Sequence, residues 1–262
     1  MLLPRWGWAN MSRIYQKEGF SMSRLHNSIY FWNIIFFITI ISLLTVLLLD
    51  KELYVNLVKE GTNTELFTAI FYIISGVLLI ISAFKFRKMY GSLKFLLIPL
   101  LLGLFFLFVA GEEESWGQWL FGYSVPESIV SLNQQSEANI HNLKVLERFK
   151  VILDPHRVLK AFTLLVGVLI PIIHYLSKFA RRVLKKLAFP VCPLRFLPIF
   201  ILSFIYEKAA YLLYEHWSHA EIMEFLISFG FFLFSISVIR GESFSFEAVS
   251  NSQVIDRSKS RV

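Results

Sequence analysis

Apolar residues along this chain gather into six long blocks with polar connections between them. The blocks cover residues 28–49, 64–84, 92–111, 157–179, 194–217 and 219–239. A helix of about 20 residues rises ~30 Å, the thickness of a bilayer's hydrocarbon layer. In such a layer the backbone has to satisfy its own hydrogen bonds, which helices do. The predicted fold class is therefore all-α: a polytopic transmembrane helical bundle of about six spans, with an extracytoplasmic helical loop between spans 3 and 4. The first block is too long, and too β-branched and aromatic toward its end, for a signal-peptide core, and no small-residue cleavage pattern follows it. It is expected to remain in the mature protein.

The connections divide the chain further. Residues 1–27 read as a polar cytoplasmic leader carrying Arg5, Arg13, Lys17 and Arg24 with Trp6 and Trp8. Residues 28–239 are the six-span domain. Residues 240–262 are Ser-rich with no apolar period, which predicts a disordered cytoplasmic tail. The longest connection, 123–156, is too polar to cross a bilayer. Pro126 opens a short helical piece within it, SIVSLNQQ. Ser136 suits the N-cap of a second, EANIHNLKVLERFKVIL, which ends at Asp154 and Pro155. The apolar residues of that second piece are scattered around the helix, so it is expected to lie at the membrane interface or over the bundle. Pro171 is expected to kink the fourth span.

Composition agrees with the pattern: 56% of the 262 residues are hydrophobic, and the mean hydropathy is +0.59. The net charge of +7 does not point to nucleic acid, because Lys and Arg cluster at the ends of apolar blocks. The leader, the 2–3 and 4–5 connections with Lys94, Lys178 and Arg195 at the adjoining block ends, and the tail hold 18 of the 26 Lys and Arg. By the positive-inside rule both termini are predicted cytoplasmic, in a multi-pass protein of the cell membrane. The single cysteine, Cys192, excludes an internal disulfide, and nothing beside it in sequence would activate a thiolate.

Chemistry concentrates where the third span ends. GEEESWGQ places Glu112, Glu113 and Glu114 at the far boundary, about 29 Å along a helix begun at Ser92. If that helix continues, Glu112, Ser115 and Trp119 share one face, and Glu114 and Gln118 another. Neighbouring carboxylates split one another's proton affinity, so Glu112 and Glu113 are candidates for acid/base catalysis or cation binding. The bland alternative is an interfacial collar in which Trp116 and Trp119 sit in the aromatic belt.

Three further groups complete the candidates. Glu207 falls about 17 Å along the fifth span, inside the hydrocarbon, where a carboxylate needs a partner. Tyr211 and Glu215 follow it on one face, and Lys208 points elsewhere. EHWSH, residues 215–219, is followed by Glu221 and Glu224, and it offers Glu215, His216 and His219 at ligand spacing without matching a zinc-protease motif. In the long connection, SEANIHN supplies Asn139 and His141. Glu112, Glu113 and His141 are thus the catalytic candidates. Glu207, Glu215, Gln118 and Asn139 are candidates for a substrate or ion relay, and Glu113, His141, Glu215 and His219 for a divalent metal. His26, His156 and His174 read as structural.

The segment GEEESWGQ…EANIHN resembles a pattern found in bacterial multi-pass membrane proteins without an assigned function. That pattern is Gly-Glu-Glu-x-Ser-Trp-Gly-Gln followed about twenty residues on by Asn-x-His-Asn. The matching positions are Gly111, Glu112, Glu113, Ser115, Trp116, Gly117 and Gln118, then Asn139, His141 and Asn142. The resemblance implies a bacterial inner-membrane location and a link between the two segments, and it supplies no reaction. A comparison with ceramidase-like membrane hydrolases holds only at the level of class, since their paired-histidine last helix is missing.

Three function classes stay open. The leading one is an outer-boundary Glu/His site that acts on a lipid or lipid-linked substrate or binds a cation. A proton- or cation-coupled transporter is the second, disfavoured by the lack of a second GEEESWGQ copy and by the few ionisable residues in the inner halves of the spans. The third is a structural or accessory subunit. The partners this implies are membrane lipids, with a homo-oligomer or a membrane partner protein open, and no nucleic acid. Reporter fusions check the orientation: those after Lys186 and at the C-terminus are expected to report cytoplasm and one near Gln134 the outside. A cytoplasmic signal at Gln134 overturns it.

Overall fold

The computed structural model describes residues 22–58, 63–133, 144, 155–216 and 218–244. Among these there are helices and turns and no β-strand. Helix α1 (Met22–Leu49) leads into a short α2 (Lys51–Val58). Helices α3 (Asn63–Tyr90) and α4 (Lys94–Glu113) follow, then a 3-10 turn (Ser115–Gly117) and two short helices, α5 (Gln118–Phe121) and α6 (Glu127–Val130). The next span is assembled from α7 (Pro155–Thr163), a π-helical stretch (Leu164–Leu169) and α8 (Ile170–Leu176). Helix α9 (Lys178–Leu187), a 3-10 turn (Leu194–Phe196), α10 (Leu197–Leu213) and α11 (His219–Ile239) complete the described chain. Six of these helical segments are long and apolar enough to cross a membrane, as the six blocks predict, and this is the architecture of a multi-pass integral membrane protein.

The departures from the sequence reading lie at the ends of the spans. The helix of the third span does not continue through Ser115 to Trp119. It stops at Glu113, because the backbone turns left-handed at Ser115 (φ 44°), Trp116 (φ 56°) and Gly117 (φ 86°). The face shared by Glu112, Ser115 and Trp119 therefore does not form. The fourth span ends at Leu176, and Ser177 is extended (φ −111°, ψ 118°), its hydroxyl accepting the Ala180 N–H at 3.2 Å. That cap starts a separate helix, α9. Within the fourth span the irregularity precedes Pro171: lacking an N–H to bond the carbonyl four residues back, proline leaves the preceding turn to widen into the π stretch.

Helix α11 is apolar on every side, and a helix of that kind is stable only when enclosed. Buried residues make up 78% of its most apolar window, against 17% for α1. It packs between α3 and α10. Phe231 is its hub, with ring centroids 4.9 Å from Phe106, 5.0 Å from Phe200 and 5.5 Å from Phe162. The Phe200 ring lies between two glycines, since a Cβ on Gly167 or Gly230 would come within 2.9 Å of it. Hydroxyls inside the bundle turn back on their own helices: Ser75, Ser203 and Ser235 donate to Phe71, Ile199 and Phe231 carbonyls. At the end of the bundle away from Glu113, Lys85 donates to the Ile239 carbonyl and Arg195 pairs with Glu242.

Helices α3 and α4 form the tightest pair. A Cβ on Gly76 or on Gly103 would each meet the other glycine's carbonyl oxygen at 2.8 Å. Without a hydrophobic drive between helices in lipid, such small-residue contacts hold spans together. We expect Gly103→Val to force the pair apart at a cost of about 1–3 kcal/mol, read as a lowered unfolding temperature in detergent. An unchanged melting curve would show that the contact contributes nothing.

Candidate functional site

The end of α4 divides its three glutamates among different tasks. The left-handed turn folds Trp116 back, so that its indole N–H donates to Glu112 Oε1 at 2.6 Å. The ring covers Gly111, where a Cβ would come within 2.9 Å of it. The Tyr123 hydroxyl donates to the carbonyls of Ser115 and Trp116 at 3.2 and 3.3 Å, pinning the turn. Glu112 is thereby buried as part of this lock. Glu114 is half-buried, and burial pushes its carboxyl up from the usual range. Gln118 opens α5 beside the turn.

Glu113 faces inward and meets two carboxylates from the first turns of α11. Oxygen atoms of Glu113, Glu221 and Glu224 all lie within 4.8 Å of one another. Glu221 and Glu224 are buried, while Glu113 is partly exposed. Glu113 and Glu224 share a side-chain hydrogen bond, and Glu65 from the start of α3 lies within electrostatic reach. His156, in the first turn of α7, holds Glu224 through Nδ1 at 2.5 Å and remains half exposed. The Tyr72 hydroxyl completes the surroundings. It is fully buried, has no hydrogen-bond partner among the described residues, and lies within electrostatic reach of Glu113 and Glu224.

Lys160 stands one helical turn beyond His156 and pairs with Glu207 at 2.6 Å. Glu207 thus has a basic partner from a neighbouring span. A cleft of about 190 Å³ opens beside it, lined by Glu207, Lys208, Tyr211, His216, His219 and Ala220. Glu215 is exposed and accepts the Tyr211 hydroxyl at 2.6 Å.

Both ring nitrogens of His219 are engaged. Nε2 lies 2.5 Å from the Tyr214 carbonyl, which can only accept, so Nε2 carries the proton. Nδ1 then accepts from the Tyr54 hydroxyl at 2.8 Å, and Tyr54 in turn accepts from Tyr206 at 2.9 Å. The chain of bonds ties α2, α10 and α11 together and leaves His219 no lone pair for a metal. Among the metal candidates read from sequence, the structure brings Glu113 to a carboxylate cluster, leaves Glu215 at the surface and commits His219 to this network. His141 and Asn139 lie outside the described residues.

Glu221, Glu224, His156 and Tyr72 are the additions. The spacing of Glu221 and Glu224, three apart in the first turns of a span, was a visible signal. Their proximity to Glu113 and His156 is a long-range contact that no local pattern carries. Cys192 is buried, and burial pushes its thiol up, so it is an unreactive packing residue. No protein-family model, curated protein or solved structure matches this chain.

The tyrosine–histidine network has a measurable pH signature. Burial raises Tyr54 from 10.0 to about 12. The folded state therefore keeps this proton where the unfolded chain loses it, so the associated stability is complete below pH 10 and disappears as pH climbs toward 12. We expect Tyr54→Phe to cost about 1–3 kcal/mol at neutral pH, by orphaning Tyr206 and His219, and to flatten the alkaline decline in unfolding temperature. A mutant with the wild-type alkaline slope would remove Tyr54 as its source.

Proposed function

We propose that this integral membrane protein holds a divalent cation between Glu113, Glu221 and Glu224 and acts with it on a lipid or lipid-linked substrate at the membrane boundary. The observation that carries the reading is the meeting of three carboxylates from two helices within 4.8 Å, in electrostatic reach of a fully buried Tyr72 hydroxyl that has no hydrogen-bond partner among the described residues. Carboxylates packed this closely in a medium of low dielectric repel one another unless a cation or shared protons lie between them. An orphaned buried hydroxyl costs about 1–3 kcal/mol, a penalty removed when a ligand accepts its proton. An all-oxygen set of this kind suits hard cations such as Mg²⁺, Mn²⁺ or Ca²⁺. Such an ion supplies Lewis-acid polarisation of a bound oxygen.

The protein's own groups take complementary parts. His156 orients Glu224, and being half exposed it can exchange a proton with solvent or substrate. In this reading Tyr72, within electrostatic reach of Glu113 and Glu224, donates to an oxygen bound at the cluster. Glu112 acts through position: its bond to Trp116 fixes the turn that leaves Glu113 free to face Glu221 and Glu224. With both termini cytoplasmic, as the charge distribution predicts, the cluster faces the outer leaflet. An outward-facing site of this kind is reached by lipid moving laterally as well as by water.

Mn²⁺ titration of the purified protein in nanodiscs, followed by electron paramagnetic resonance, tests the reading. We expect one saturable site in wild type, loss of at least about 100-fold in affinity for Glu113→Gln and Glu224→Gln, and a smaller loss of about 10–100-fold for His156→Ala. In metal-free buffer Glu224→Gln should melt no lower than wild type, because the substitution removes a repelling charge. A wild-type protein that binds Mn²⁺, Mg²⁺, Ca²⁺ and Zn²⁺ no better than Glu224→Gln would overturn the cation site.

A further inference from the structure

Among the described residues, the most strongly amphipathic element lies at the other end of the bundle, away from the carboxylates. Helix α9, KFARRVLKKL, follows the fourth span after the single extended residue Ser177, and none of its ten residues is buried. At about 100° per residue its side chains separate into two faces. Phe179, Ala180, Val183, Leu184 and Leu187 occupy one, and Lys178, Arg181, Arg182, Lys185 and Lys186 the other. No acidic residue interrupts either face. Phe179 is 71% exposed and Leu187 48%, so the apolar face is not packed against the bundle.

An apolar face left open to water is unfavourable, and the chain has no need of it if the helix lies where its two faces meet different solvents. That place is the membrane interface, directly beside the end of the span from which α9 departs. Both ends of the helix are built to stop there. Ser177 caps its start, and Ala188, in the left-handed conformation at φ 53°, ends it. The ten residues extend about 15 Å, short enough to rest against one leaflet and too short to enter it as a span.

We propose that α9 is an in-plane interfacial helix whose partner is the anionic phospholipid of the leaflet beside it. Phe179, Val183 and Leu187 enter the acyl boundary, and the five cations face headgroup phosphates. Charge complementarity selects the lipid class: a zwitterionic surface offers the same apolar boundary but no net field, whereas an anionic leaflet attracts each cation within a Debye length of ~8 Å. This assignment is independent of the carboxylate site and of any cation held there.

The single cysteine of the chain makes the test direct. In a Cys192→Ser background, cysteines introduced by Phe179→Cys, Val183→Cys, Arg182→Cys and Lys186→Cys carry an environment-sensitive NBD probe, one at a time. The protein is reconstituted in nanodiscs of phosphatidylcholine alone or with phosphatidylglycerol. We expect blue-shifted emission at 179 and 183, aqueous emission at 182 and 186, and a larger shift at 179 when phosphatidylglycerol is present, reversed by high salt. Arg181→Gln in the 179-labelled protein should lower the docked-to-undocked ratio about fivefold, and adding Lys178→Gln about fivefold again. Far-ultraviolet circular dichroism confirms that each labelled variant keeps its helix content. Equal aqueous emission at all four positions would overturn the proposal in favour of a free or protein-covered helix. Shifts at 179 and 183 that ignore phosphatidylglycerol would overturn the choice of anionic lipid.

Discussion

A helix without a polar side has to be enclosed, and the need to enclose α11 shapes the bundle. Its partners approach closely because glycine lies where backbones or rings would otherwise collide, at Gly230 and Gly167 around Phe200 and at Gly76 and Gly103 between α3 and α4. Serines within the spans spend their hydroxyls on their own helices, so the lipid-facing and packed surfaces stay apolar. Beside the Lys160–Glu207 pair and the Tyr206–Tyr54–His219 network, the described residues show one further departure. At a single end of the bundle, the same buried helix begins with Glu221 and Glu224.

That exception is expensive, which makes it informative. Two buried carboxylates on one helix, joined by Glu113 from another, are an arrangement that packing alone would not favour. His156 contacts Glu224 from the exposed side, Lys160 is committed to Glu207, and Tyr72 contributes a buried hydroxyl with no hydrogen-bond partner among the described residues. Around the cluster, bonds between elements hold the geometry: Trp116 to Glu112 at the end of α4, and Tyr206, Tyr54 and His219 between α10, α2 and α11.

The two ends of the bundle thus differ in chemical character. One gathers acids, histidines and tyrosines at the helix ends, and the other carries the lysines and arginines of α9 with the Lys85 and Arg195 contacts. An amphipathic basic helix thus lies at one end of the bundle and a carboxylate cluster at the other.

Much of the fold was legible in the sequence, because burial in lipid imposes a length and a composition on each span that local residues alone satisfy. The six blocks and the importance of GEEESWGQ follow from that constraint. The tertiary structure decided which glutamate does what. Glu112, Glu113 and Glu114 are neighbours in sequence, yet a three-residue left-handed turn assigns one to Trp116, one to the α11 carboxylates and one to the boundary. Residues 113 and 224 are far apart along the chain, and only packing of α3 between α4 and α11 brings them within hydrogen-bonding reach. His156 and His219 exchange the roles their local sequence suggests for the same reason. A histidine's part is set by what its two nitrogens meet across the bundle, and one-dimensional spacing carries no record of that.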